Sequence, residues 1–392
     1  MTLLHNPKSD LTHLYFSGVA KRVSQTFMSL FSPLYIFSLF WQQNYGVSLS
    51  VLIVLFFYLV VLISKIATMV FAEDLSRSTG FKKIIWISVL PFLANVVFLI
   101  LSQSHPLFLV FAAVTGGMHA GLYWWGYHGY FVKSGDVRHF GENIGQAQLL
   151  DTTAEILVPV LGGILVLISG FFPNFILASV FIVLSVVLLG RDHEKRQKHD
   201  VKFKEVYNLI KTHPVMSLAY IGGSFEAVFY LLIWPIFLFI LFGRVLDFGA
   251  IVGAASFLSA LVGVLVGRYI DRQGERQVVA MGSFLLSASW AIRLVLRSFG
   301  GYVFAESVAN FGGRITALSL QELTYKKAIE AGSAKAILFR ETALVLGGVI
   351  LIATMSLWVI FFGDLEKAFI LPAVVSLFPL GFVLKSVRDE KK

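Results

Sequence analysis

The chain has 392 residues, 57% of them hydrophobic and only 14% charged, with a mean hydropathy of +0.79 and a net charge of +9. Soluble domains average about 25% charged residues, so the composition excludes one and points to an integral membrane protein. There is no cysteine, which excludes disulfides, iron–sulfur clusters and thiolate chemistry; the sequence calls for no cofactor and no metal.

Apolar runs long enough to cross roughly 30 Å of hydrocarbon recur along the whole chain. We read twelve spans, over residues 20–41, 47–71, 83–102, 107–131, 144–168, 172–190, 214–242, 248–270, 277–297, 301–325, 335–361 and 366–386. Residues 1–14 lack the apolar core and small-residue cleavage site of a removable signal, so the first span is expected to be its own insertion signal. Alternate loops carry nearly all the bases, among them Arg77, Lys82 and Lys83, then Lys133 and Arg138, then the run 191–211, then Lys326, Lys327 and Lys335. The opposite loops hold Arg244, Arg297 and Lys367. The positive-inside rule then places both termini in the cytoplasm of a cell (cytoplasmic) membrane protein and requires an even number of spans. A basic run beside a span is a topology signal, so 191–213 reads as a linker on the anionic leaflet and not as a nucleic-acid site.

The first span carries Ser24 and Gln25 in its inner half and Pro33 further out. Its segment 33–40 is echoed at 235–242, an offset of 202. Gly116-Gly117 is echoed by Gly312-Gly313 at 196, Gly162-Gly163 by Gly347-Gly348 at 185, and Asp74 by Asp271 at 197. Ordered echoes of this kind imply a duplicated set of six helices, the arrangement that builds a site between two halves. The expected domains are a six-helix bundle over 1–190, the basic linker 191–213 and a second bundle over 214–392.

Between the eighth and ninth spans, 267–276 reads Gly-Arg-Tyr-Ile-Asp-Arg-Gln-Gly-Glu-Arg. Gly267 allows close helix approach, Asp271 suits a helix N-terminus, Gly274 permits a sharp reversal, and Arg268, Arg272 and Arg276 hold the turn inside. This stretch resembles the loop signature of the major facilitator superfamily, Gly-x-x-x-Asp-Arg/Lys-x-Gly-Arg/Lys-Arg/Lys, with Glu275 where a base is expected. The 73–83 loop is a degraded copy that keeps Asp74 and Gly80 but has Val70 in place of the first glycine. Val158 to Gly163 is similar to the glycine–proline motif of the superfamily's exporters, with Val158 standing where a glycine is expected. The resemblance covers nearly the whole chain and implies an all-α protein of twelve transmembrane helices in two pseudo-symmetric bundles. It also implies that spans 1, 4, 7 and 10 line a central cavity, with span 2 facing 11 and span 5 facing 8.

A charge inside a span costs about 2.5 to 3.5 kcal/mol on insertion scales, so each one needs a partner or a task. On the superfamily's scaffold, helical periodicity places His119, Tyr123 and Tyr127 on one stripe, Glu226, Tyr230 and Trp234 on a second, and Glu306, Asn310 and Arg314 on a third. With Gln25 they form the expected substrate cavity. Glu226 and Glu306 against Arg314 lean towards cationic or zwitterionic cargo. The expected gate pairs Lys65 with Glu341 and Asp151 with Arg268, with Asp74 reaching Arg340. Glu226 is the first candidate for proton coupling, because it follows Gly222-Gly223, where the helix can flex, and its repeat partner is the uncharged Ser24; Glu155 and Glu306 follow it. The expected function is secondary active transport of a small organic solute, proton-coupled, by a monomer in the bilayer. No Gly-x-x-x-x-Gly-Lys-Ser/Thr points to ATP, and no His-x-x-x-His pair or Gly-x-Ser-x-Gly elbow points to an enzyme. A transporter-like receptor or assembly factor without transport activity is the alternative, with a membrane-embedded enzyme behind it.

Overall fold

Hydrocarbon offers the backbone no hydrogen-bond partner, and a helix supplies its own. The structure, a computed structural model, is helical across the residues it describes, 9–134, 140–190, 203–270, 275–331 and 333–381; side chains are described at 13, 16–132, 151–190, 205–263, 277–321 and 334–381. The first half contains α1 (Ser9–Trp41), α2 (Gly46–Thr79), α3 (Phe81–Ile87), α4 (Val89–Leu101), α5 (Leu107–Ser134), α6 (Phe140–Ser169) and α7 (Phe172–Leu189). A short helix, α8 (Phe203–Thr212), precedes the second half, which contains α9 (Pro214–Phe242), α10 (Val245–Ile270), α11 (Glu275–Val295), α12 (Phe299–Ala331), α13 (Ser333–Phe361) and, after the 3-10 turn Lys367–Phe369, α14 (Ile370–Val375).

Among the described residues ten helices are long and apolar enough to cross a membrane, with α3 and α4 together forming one of them. The tenth expected span, within α12, has the length but not the apolarity, because it carries Glu306, Asn310, Arg314 and Gln321 on one helix. The third span breaks at Ser88, whose carbonyl accepts a hydrogen bond from His119 Nδ1 on α5 at 2.8 Å. That bond satisfies backbone at the break, as a buried carbonyl requires.

The glycine echoes take matching places in the two halves. Gly116 seats α5 on α4, leaving 2.9 Å between an added Cβ and Asn95 Nδ2, and Gly312 seats α12 on α11, leaving 2.8 Å to the Gly282 carbonyl. Gly162 lies against the Phe31 ring of α1 and Gly347 against the Ile221 backbone of α9, so each doublet's first glycine packs on its own half's first helix. The second glycine faces the other half: Gly163 lies 3.0 Å from Leu246 Cα, and Gly348 lies 2.7 Å from Leu62 Cδ1, each measured from an added Cβ. One small-residue motif therefore builds both the bundle and the seam between bundles.

At the end of the molecule formed by the turns 42–45, 243–244 and 296–298, here called the far end, the halves are packed together. Phe37 and Trp41 of α1 meet Phe239 of α9, and Gly249 and Gly253 of α10 lie on the backbone carbonyls of Pro159 and Ile156. At the opposite end α8 buries Val206, and Glu205 pairs with Lys335 of α13 at 2.8 Å.

Candidate functional site

Between the halves lies a cavity of about 680 Å³, walled by α1, α2, α6, α9, α10, α11, α12 and α13. Its size falls within the range of small-molecule sites. Two groups of polar residues shape it.

The first lies towards the basic-loop end and ties the halves together by charge. Arg22 of α1 holds Asp151 of α6 at 3.0 Å and stands 3.9 Å from Glu155. Arg314 of α12 reaches across to α6, donating to Glu155 Oε2 at 2.5 Å and to Thr152 Oγ1 at 2.8 Å. Lys65 Nζ lies 2.7 Å from Glu341 Oε2, and the other oxygen of Glu341 takes Arg340 at 2.5 Å with His128 Nε2 at 3.4 Å.

The second group belongs to the second half alone. Glu306 is fully buried and receives Arg293 Nη2 on one oxygen and the Tyr230 hydroxyl on the other, both at 2.5 Å. The Arg293 guanidinium is itself fully buried and lies over two indole rings, 3.9 Å from the centroid of Trp290 and 4.4 Å from that of Trp234. Such cation–π contacts recover part of the hydration the cation gives up. Glu226 lines the cavity beside this cluster and accepts one hydrogen bond, from Trp290 Nε1 at 3.0 Å. No cation among the described residues lies within ion-pairing distance of Glu226, whereas Asp151, Glu155, Glu306 and Glu341 each have at least one.

Of the residues expected in the cavity, Glu226, Tyr230, Asn310 and Arg314 line it, and Glu155 lines it with them. Gln25, Tyr123 and Tyr127 line a second pocket of about 120 Å³ nearer the basic-loop end. Three lie elsewhere. His119 caps the Ser88 break and packs on Phe92, Trp234 is fully buried among Trp290, Tyr302 and Phe369, and Glu306 turns into its own bundle. Helical periodicity gives the face of a helix but not which neighbour covers it, and in these three cases the neighbour is a helix of the same half.

Among the expected gate contacts, Lys65 and Glu341 come together across α2 and α13. Asp74 does not reach Arg340; it is exposed beside Arg77 at 3.4 Å, while Arg340 is taken by Glu341 and His128. Asp151 is held by Arg22, and the side chains of its expected partner Arg268 and of Gly267, Asp271, Arg272, Gly274 and Arg276 lie outside the described residues. The glycine pair expected to flex lies within a continuous helix. α9 runs unbroken through Gly222-Gly223, and Gly222 serves close packing, 2.7 Å from the Val375 carbonyl to an added Cβ. Nor does acid dominate the cavity wall, which carries Arg22, Lys65, Arg314 and Arg340 against Asp151, Glu155 and Glu226. Arg22 and Arg293 were the residues missed. Arg22 reads as a loop base by position, and the signal for Arg293 was a lone arginine inside an apolar span.

The sequence profile of the Major Facilitator Superfamily matches residues 23–351. The chain belongs to the Major Facilitator Superfamily. No curated protein matches this facilitator. Among solved structures it is similar to the POT family transporter PepTSo, with a TM-score of 0.75 and 10% identity over 98% of this chain and 99% of that one. It is also similar to a bacterial homologue of the iron transporter ferroportin in an outward-facing state, with a TM-score of 0.72 and 13% identity over 97% and 99% of the two chains. A third likeness is to the E. coli fucose:proton symporter, with a TM-score of 0.65 and 12% identity over 96% and 97%. At these identities the likeness is one of fold: two helical bundles in the arrangement of a secondary transporter.

Proposed function

We propose that this facilitator is a proton-coupled secondary active transporter of a small organic solute, with Glu226 as the residue that takes up and releases the proton. The two bundles, 1–190 and 214–392, rock about the cavity with the linker 191–213 between them, and the basic loops with both termini face the cytoplasm. Far-end packing by Phe37, Trp41 and Phe239 closes one exit, and the Lys65–Glu341 bridge narrows the other.

The observation that carries the coupling role is that no cation among the described residues lies within ion-pairing distance of Glu226. A carboxylate already held by a guanidinium has its counter-charge in place, whereas among the described residues Glu226 is met by the Trp290 indole N–H and leaves an oxygen for a proton. Glu226 is 8% exposed and borders the cavity, so rocking presents it to each side in turn. Proton coupling is also the stated mode of one structural neighbour, the fucose symporter.

A ligand is first found by thermal-shift screening of the purified protein against metabolites and drugs, since a ligand that binds the folded state raises its melting temperature. In proteoliposomes Glu226→Gln is expected to abolish accumulation of that ligand driven by a pH gradient while counterflow persists. Unchanged accumulation would remove Glu226 from the mechanism and move the role to Glu155.

A further inference from the structure

We propose that the pocket around Lys21 receives an anionic group, a carboxylate or an oxyanion of similar size, carried by the transported solute. The anion preference stands on the pocket's geometry; that the anion belongs to a transported solute rests on the transport reading above.

A lysine near the end of a span ordinarily extends to the interface and keeps its ammonium in water. Lys21 is turned inward instead, with 6% of its surface exposed. Its Nζ donates to Gln25 Oε1 at 3.3 Å and sits 4.3 Å from the centroid of the Tyr123 ring and 5.7 Å from that of Trp124. Among the described residues it meets no carboxylate at ion-pairing distance. The neighbouring acids are already committed: Asp151 to Arg22, Glu155 to Arg314, and Glu341 to both Lys65 and Arg340. Among the described residues, then, five cations share three carboxylates, and Lys21 is the one left over. A buried cation without a counter-charge is costly, and an arriving anion removes that cost.

The space beside Lys21 fits such a guest. The pocket holds about 120 Å³, roughly the share of four waters. Tyr123 and Tyr127 stack with ring planes 15° apart and Trp124 stands edge-on to both, giving a flat wall suited to a planar group. Arg22, Asp151, Gln321 and Arg340 border this pocket and the larger cavity alike. A solute can thus place its anion at Lys21 and extend the rest of itself towards Glu226. A planar carboxylate such as benzoate is the natural probe.

The test uses the full chain in nanodiscs, read by thermal shift. Benzoate is expected to stabilise the protein, and benzamide and benzylamine are not. Lys21→Met should weaken benzoate by roughly ten- to a hundredfold, the value of one charge-assisted hydrogen bond, while Lys21→Arg retains binding. Should Lys21→Met fail to fold, quenching of Trp124 by 2-nitrobenzoate, lost in Trp124→Phe, reads the same site. Equal stabilisation by the neutral or cationic probe, or benzoate binding indifferent to Lys21, overturns the proposal. A lipid headgroup could supply the same chemistry, so nanodiscs of phosphatidylcholine are compared with discs containing phosphatidylglycerol. If phosphatidylglycerol stabilises the wild type, not Lys21→Met, and excludes benzoate, the anion is a lipid's and the solute assignment fails. None of these readings needs a gradient, so a Lys21-dependent benzoate site survives even if Glu226→Gln leaves pH-driven accumulation intact.

Discussion

Phe37 and Phe239 meet edge to face, with ring centroids 6.3 Å apart and planes at 90°, and their spacing of 202 residues is that of the Pro33 and Pro235 segments. Each is the other's repeat partner. Residues related by a two-fold axis touch only close to that axis, so the far-end closure lies on the pseudo-symmetry axis of the molecule. The chain has no cysteine, which makes the closure easy to trap. With Phe37→Cys and Phe239→Cys together, a short thiol cross-linker is expected to join the two positions and stop transport, and neither single variant should respond. Failure to cross-link would show that this end is open in the membrane.

The Lys65–Glu341 bridge joins α2 to α13 with side chains 14% and 2% exposed. Removing one member of a buried pair leaves the other uncompensated, a loss of about 3–5 kcal/mol for well-buried cases. Lys65→Glu and Glu341→Lys are each expected to lose transport, and the double exchange to restore a substantial part of it. No rescue would mean that Arg340 and His128, which share Glu341, and not Lys65, hold that carboxylate in place.

Arg293 and Glu306 are both fully buried inside one half. Arg293→Met is expected to lower the melting temperature more than Arg293→Met combined with Glu306→Gln, because the double variant leaves no unpaired charge. Equal losses in the two would indicate that the guanidinium matters for its packing between Trp234 and Trp290 and not for its charge.

Reporter proteins fused after Lys198 and after Lys392 are both expected to report the cytoplasm, following the loop bases. An external signal from either fusion would invert or break the topology.

The bundle architecture was legible because its determinants are local. Apolar length, loop charge and glycine doublets at nearly constant offset are properties of short segments, and Gly162-Gly163 and Gly347-Gly348 occupy equivalent seams in the two halves. The cavity was less legible, because a lining position depends on which helix stands opposite. Glu226 and Glu306 look alike as lone acids on polar stripes, yet one faces the space between halves and the other faces Arg293. Lys21 and Arg22 are adjacent bases at the end of the first span, where charge density signals topology. Only the packed structure separates Arg22, which serves Asp151, from Lys21, which serves no acid among the described residues.

The burial of Arg293 against Glu306 bears on how the polypeptide enters the bilayer during synthesis. α11 presents an arginine and α12 a glutamate to the same dry interior, and the described residues of α12 fall short of the apolarity of the other spans. Each charge, carried in alone, faces the insertion cost of an unpaired ion. Only the short turn 296–298 separates the helices, so the two charges can neutralise one another within a single hairpin.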